Sequence, residues 1–293
     1  MAEQLYALGD IGATNLRVGV YNGQGECVGT YNTNTHPDYY EDTVHIVADT
    51  VGRMADGYGH GKIVAASMAV AAEVNENGEL TRAGGLSPWI GRNLGQDMEI
   101  ALGLPSGLVG TPNDVVAIAI SQQNINLGNG RPVKGIATTL SSGWGGALYW
   151  EADVTKSDEP GHEHLRFGAM CPCGQEGHAE AYVSGNGVML NHGIDMQSRL
   201  EMVPDAQQQL VTDLSTATIA MIERHRANGF DAEEIRWTGG IALGQPFTMF
   251  RVANEIRYRF GDSQPIAIDT ITMGEQAGIH GTFIDAQRRA VQY

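Results

Sequence analysis

Lysine is almost missing from this chain. Among 293 residues only Lys62, Lys134 and Lys156 are lysines, and 18 basic residues face 34 acidic ones, a formal charge of -16. Polyanions are bound by basic surface, so this balance excludes a general nucleic-acid or anionic-membrane role. Cysteine is scarce too. Cys27, Cys171 and Cys173 do not make a disulfide framework, which points to a reducing compartment. No stretch approaches the roughly 20 apolar residues of a membrane span. The opening MAEQLYALGD has no basic segment and no apolar core, so it does not read as a signal peptide, and a cytoplasmic location is expected. What is present is a hydrophobic fraction of 42%, enough for a folded core. The length predicts two domains of roughly 150 residues, or one large α/β domain. An acidic, lysine-poor surface suits high salt, and a modestly acidic protein of ordinary salt has the same composition.

The apolar pattern predicts strands at Leu5 to Gly9, Leu16 to Tyr21 and Cys27 to Tyr31, with Cys27 in the core. Val44, Val47, Val51 and Met54 recur at helical spacing behind Asp42 and Thr43 as capping candidates. Strands are expected at Lys62 to Val70 and at Leu108-Val109, the latter followed by a helix through Val115, Val116 and Ile118. The pattern then restarts. Lys134 to Leu140 and Ala147 to Trp150 flank a small-residue turn, about 130 residues after the first strand-turn-strand. That is a weak internal repeat, and any large α/β protein offers similar hairpins. Asp153 to Gly177 reads as irregular. Leu210, Leu214, Ala217 and Met221 mark a helix, Ile235 to Thr238 a strand, and Pro246 the first turn of another helix. Ile266 to Ile268 is a last strand and Gln276 to Ala290 a last helix. Together these predict α/β with mixed sheets.

Several clusters carry potential chemistry. Asp10-Ile11-Gly12-Ala13-Thr14-Asn15 offers backbone N–H groups, a hydroxyl and a carboxylate at one turn. Gly12 permits close approach of an anion, Thr14 can bond a phosphate oxygen, and Asp10 can hold Mg²⁺. An ordinary hairpin turn has the same composition. Ser141-Ser142-Gly143-Trp144-Gly145-Gly146 and Thr238-Gly239-Gly240 are further turns of this kind, and neither matches the Walker or dinucleotide pattern. Asn113-Asp114 stands at a strand-to-helix junction, where it can serve a ligand or merely cap the helix. The sharpest signal is Cys171-Pro172-Cys173, with His178 five residues on and His162 nine residues before. Two thiols and two imidazoles favour a four-ligand Zn²⁺ site, with His164 competing with His162 for one place.

In this order the motifs resemble the ROK family of sugar kinases and sugar-responsive repressors, within the actin/hexokinase-like superfamily. Asp10 to Asn15 resembles its first phosphate motif, Ser142-Gly143-Trp144-Gly145 its second, and Thr238-Gly239-Gly240 its adenosine-side motif. Glu159-Pro160-Gly161-His162 resembles its sugar motif, and Cys171 to Glu180, running into Ser184-Gly185, its zinc motif. The resemblance implies two ribonuclease-H-like (actin-like ATPase) domains with an interdomain cleft. Residues 1–112 plus 275–293 would form a small domain with a returning C-terminal helix, and 113–274 a larger one. It implies ATP, Mg²⁺ and a structural Zn²⁺ as cofactors, a sugar as substrate and a homodimer as assembly. Asp114 would be the general base, most simply toward the 6-OH of glucose, and Asn113, Glu159, His162 and Glu180 would bind the sugar. Asp10, Gly12, Thr14, Asn15, Ser142, Gly143, Gly145, Gly239 and Gly240 would bind the nucleotide, and His162, Cys171, Cys173 and His178 the metal.

Four positions depart from the family pattern. His178 stands where a third cysteine is usual, and Ser141-Ser142-Gly143 replaces Gly-Thr-Gly. Ala71-Ala72-Glu73 replaces Gly-Pro-Gly, and Gly84-Gly85 falls where an asparagine is usual. Fructose, mannose or an N-acetylhexosamine as acceptor, polyphosphate as donor, and a non-catalytic sugar sensor are the alternatives. A DNA-binding repressor is disfavoured, because a first strand near Leu5 leaves no room for a helix-turn-helix and the charge opposes DNA. A zinc hydrolase needs an open metal position, which four protein ligands would not leave.

Overall fold

A computed structural model of the chain describes residues 3–59, 61–151, 154–261, 266–271 and 273–292. The chain packs as two units, Met1–Ser121 with Gln276–Tyr293, and Gln122–Glu275. This division falls inside the helix that begins at Asp114, whereas the sequence reading places it just before Asn113.

The first unit contains β1 (Glu3–Ile11), β2 (Asn15–Asn22), β3 (Cys27–Asn34), α1 (Tyr40–Tyr58), β4 (Gly61–Val70), β5 (Glu73–Val74), β6 (Leu80–Arg82), α2 (Leu94–Leu102), β7 (Val109–Gly110) and the start of α3 (Asp114–Gly128). Its sheet runs β3-β2-β1-β4-β7. The first three strands are antiparallel, and β4 and β7 continue parallel to β1. Strand β1 reads as an unbroken apolar run because both faces are covered. Leu5, Ala7 and Ile11 face Val44, Val47 and Val51 of α1. Tyr6 and Leu8 alternate to the other side and meet Ala286 and Phe283. Those two belong to the C-terminal helix of the chain (Ala277–Gln292), which packs on this sheet.

The second unit adds β8 (Gly135–Leu140), β9 (Trp144–Trp150), β10 (Val154–Asp158), α4 (Glu180–Val183), α5 (Gly185–His192), α6 (Met196–Met202), α7 (Ala206–Ala227), β11 (Glu234–Thr238), α8 (Gly240–Gly244), α9 (Pro246–Phe260) and β12 (Ala267–Thr270), before the C-terminal helix, α10. Its sheet runs β10-β9-β8-β11-β12. The senses repeat those of the first sheet strand for strand. The faint repeat in the sequence is therefore a repeat of topology. Leu210, Leu214, Ala217 and Met221 of α7 fall in one core cluster with the stacked indoles of Trp144 and Trp237, whose ring centroids lie 5.8 Å apart.

Three expectations are corrected. Cys27 is exposed, because it begins an outer strand of the first sheet. Helix α1 starts at Tyr40, so Asp42 lies in its first turn, where a carboxylate favours the helix dipole, instead of capping it. Asp153 lies outside the described residues, and the segment expected to be irregular contains a strand, β10, which pairs with β9. Its sequence Val-Thr-Lys-Ser-Asp is too polar to stand out as apolar. No described helix is long and apolar enough to cross a membrane.

Candidate active site and metal centre

In the first unit three parallel strands end side by side. The N–H of Ala71, after β4, bonds the carbonyl of Ile11, and Val70 N–H bonds Pro112 O. The carboxyl ends of β1, β4 and β7 thereby bring Asp10, Ala71-Ala72 and Asn113-Asp114 to one edge, the edge where open α/β sheets place ligands. The turn after β1 is closed by Gly12 N–H to Asn15 O at 2.9 Å and tied to the residue following β3 by Thr35 N–H to Thr14 O at 2.8 Å. Gly85 lies against it; a Cβ there would stand 2.4 Å from the Ala13 Cβ.

Both polar atoms of the Asn113 side chain are engaged. Its Oδ1 accepts from Val115 N at 3.0 Å and its Nδ2 donates to Ala72 O at 3.2 Å, so it caps α3 and fixes the end of β4. Asp114 opens α3, with its Oδ1 accepting from Val115 N at 2.9 Å. Burial, then the nearby Asp10 carboxylate, pushes the Asp114 carboxyl up from 3.8 to about 6. Burial raises Asp10 as well, against the pull of Arg17. Two carboxyls that resist ionisation at one strand edge form a pair suited to proton transfer or a divalent cation.

In the second unit β8 and β11 run parallel and end in the two remaining glycine turns, with Thr139 level with Thr238. The Ser141-Ser142 turn is pinned to the start of α5 by Gly185 N–H to Ser141 O and Asn186 N–H to Ser142 O, at 2.8 and 2.9 Å. Gly239 has a φ of +93°, and a Cβ there would lie 2.5 Å from the Leu140 carbonyl oxygen. Only glycine lets the two turns sit this close.

Glu180, first residue of α4, gathers the rest. Its Oε2 accepts from Trp144 N at 3.1 Å. A Cβ on Gly161 would meet that same oxygen at 2.8 Å, and one on Gly143 would meet it at 3.4 Å. The second small-residue turn, the Glu159–His162 turn and Glu180 thus stand together. Pro160–His162 forms a short helical turn, and His162 Nδ1 lies 3.9 Å from Glu159 Oε2.

The metal candidates also converge. One ligand atom each from His162, Cys171, Cys173 and His178 lies within 4.8 Å of every other. The thiols sit on a tight knuckle, closed by Cys171 N–H to Gln175 O at 2.8 Å and Gly174 N–H to Cys171 O at 2.9 Å. Gly174 and Gly177 take φ values of +88° and +91°, which the knuckle requires. His178 Nδ1 stands 3.2 Å from Cys173 Sγ, and the rings of His162 and His178 are 4.9 Å apart. Burial pushes the Cys171 thiol up to about 12, and Glu180 adds to the rise. Two thiols and two imidazoles this close fit Zn²⁺, whose tetrahedral bonds of about 2.0–2.3 Å put ligand atoms about 3.3–3.8 Å apart. His164 is not in this group. It is exposed, bridges His178 through the backbone, and rests its ring against Phe167 at 4.8 Å.

Other residues at this site left no mark in the sequence. Arg224 and His225 of α7 bond Asp158 and Glu163, on either side of the Glu159–His162 turn. They lie more than 60 residues away in the chain, and no local pattern links them.

Comparison with known proteins adds the following. The sequence model of the ROK family matches residues 7–289. A glucokinase of Streptomyces coelicolor is 28% identical over 193 residues, 61% of this chain and 56% of that protein. The chain thus spans little more than half the length of the curated relative it matches. Among solved structures, a ROK family glucokinase from Streptomyces griseus in complex with glucose and AMPPNP superposes with a TM-score of 0.71 at 22% identity, covering 97% of this chain and 99% of that one. The ROK hexokinase from Thermus thermophilus gives 0.72 at 19%, again covering 97% and 99%. At these identities the superpositions show the fold.

Proposed function

We propose that this chain, which belongs to the ROK family, is a sugar kinase that transfers the γ-phosphoryl group of ATP to a hexose, most simply to the 6-OH of glucose. One observation carries the reading: Glu180 joins the Ser142–Gly145 turn to the Glu159–His162 turn, whose His162 also belongs to the metal cluster. A phosphate turn beside convergent hydroxyl-binding side chains is what a sugar kinase needs. The relatives named glucokinase and hexokinase support the same class.

In this reading Asp114 accepts the proton of the sugar hydroxyl as its oxygen attacks the γ-phosphorus and the bond to the β-bridging oxygen breaks. With a pKa of about 6 it is ionised at neutral pH yet basic enough to help. Glu159, His162 and Glu180 hold the remaining hydroxyls, with Asn113 at the edge that carries Asp114. Gly12, Thr14, Asn15, Ser142, Gly143, Gly145, Gly239 and Gly240 take the nucleotide through backbone N–H groups and hydroxyls, which need no lysine. Asp10 holds Mg²⁺ directly or through water. His162, Cys171, Cys173 and His178 hold Zn²⁺, which supplies rigidity to the sugar turn and takes no part in bond making.

The test is a phosphorylation assay over glucose, fructose, mannose and N-acetylhexosamines, with ATP and polyphosphate as donors. Turnover with glucose and ATP is expected. Inactivity of the wild-type chain on every pair would overturn the reading.

A further inference from the structure

The turn that carries Glu159 and His162 is braced from outside by α7. Asp158 ends β10, and Glu163 directly follows the turn. Arg224 reaches both. Its Nη2 donates to the two Asp158 oxygens at 3.0 and 3.1 Å, and its Nε donates to Glu163 Oε1. The adjoining His225 sets its Nε2 3.0 Å from Asp158 Oδ2. The side chains of Asp158, Glu163 and His225 are only 10%, 19% and 7% exposed, while Arg224 is 37% exposed, so the acceptors are shielded and the guanidinium keeps one side in water.

One guanidinium therefore bridges the two carboxylates that bracket the turn. The turn's own bonds, His162 N–H to Glu159 O at 3.0 Å and Glu163 N–H to Pro160 O at 3.2 Å, close it on itself. They do not fix where it stands on the unit. Pairing of β10 with β9 up to Asp158 and Ala179 N–H to Glu163 O at 2.8 Å help to place it, and the bridge adds a tie to α7, a long helix seated in the core. Only arginine suits the place: its planar fork presents separate N–H edges to two carboxylates, whereas lysine offers one ammonium.

We propose that Arg224 is a positioning residue of this turn: by holding Asp158 and Glu163 together it sets where Glu159 and His162 stand, and so tunes hexose affinity and metal retention. The hexose half rests on the kinase reading above; the bracing itself does not.

Arg224→Lys keeps the cation and Arg224→Gln removes it. In the zinc-loaded protein, hydrogen exchange at the His162 and Glu163 amides should quicken about tenfold in either variant, while β8 amides stay within about twofold of wild type. The hexose KM should rise about tenfold with the ATP KM nearly unchanged. Unchanged exchange at His162 and Glu163 in Arg224→Lys overturns the proposal. Equal acceleration throughout Gln122–Glu275 overturns it too, since that marks plain loss of stability, as does an equal rise in both KM values. If the wild-type chain phosphorylates no hexose, the kinase reading fails alone and the exchange result still decides the brace.

Discussion

Replacing Asp114 by asparagine should make the protein more stable and nearly inactive at once. Burial and the Asp10 charge lift the Asp114 carboxyl from 3.8 to about 6. A shift of about two units corresponds to about 3 kcal/mol against the ionised form, and partial solvation of the side chain brings the expected effect to about 1–3 kcal/mol. The sign follows from the direction. A folded pKa above the unfolded one means this group favours folding most below pH 3.8, and that contribution is lost as pH rises through about 6. Above that pH the wild type carries the whole penalty and the variant carries none. Asparagine keeps the Oδ1 that accepts from Val115 N at 2.9 Å, so the start of α3 survives. Thermal unfolding at pH 8 should therefore show a Tm higher by about 2–4 °C for each kcal/mol, with the two proteins converging near pH 4. Turnover should fall by about 10²- to 10⁴-fold, the usual worth of a general base. Wild-type kcat/KM for the sugar should drop on the acid side with a midpoint of about 6. A variant less stable than wild type at pH 8 refutes the burial argument. A variant with full turnover refutes Asp114 as the base.

Three further outcomes follow from the same geometry. Stripping the metal with a chelator should loosen residues 162–178 first, seen as faster proteolysis there, with hexose KM raised and kcat little changed; elemental analysis showing no zinc in protein grown with zinc would end the metal reading. Gly239→Ala should cost at least about 1–2 kcal/mol for its left-handed backbone alone, and more from the contact with Leu140 O, with ATP binding by calorimetry lost before hexose binding. Glu180→Ala leaves Trp144 N without its acceptor, so a loss of about 1–3 kcal/mol in denaturant unfolding is expected, together with a raised hexose KM. Wild-type hexose affinity in that variant would remove Glu180 from the sugar site.

Strands β1 and β4 were legible because their apolar runs are nearly unbroken, and β2 because it alternates. The two halves of β1, alternating between α1 and α10, are both buried, and burial on both faces leaves a continuous signal. Strand β10 was not, because its residues are polar. Cys27 looked like core by residue type, and its place on an outer strand decided otherwise. The glycine turns were legible as turns, yet nothing local said that the turn after β11 lies against the turn after β8. That follows only from the parallel pairing of the two strands.

The sequence by itself determined the motifs, their order and hence the ROK family, because each is a short run of residue types with a local purpose. It determined too that none of the three glycine turns carries a lysine, so in the proposed reading phosphate would be held there by backbone N–H groups and hydroxyls. The resemblance implied His162 as the ligand, and tertiary structure sets it apart from His164; tertiary structure alone decided that Glu180 reaches the Trp144 amide and that Arg224 spans Asp158 and Glu163. Those contacts join residues separated by up to 66 positions. Side-chain geometry at such distances is set by the packing of α4 and α7 on their sheet, which no local pattern of residues encodes.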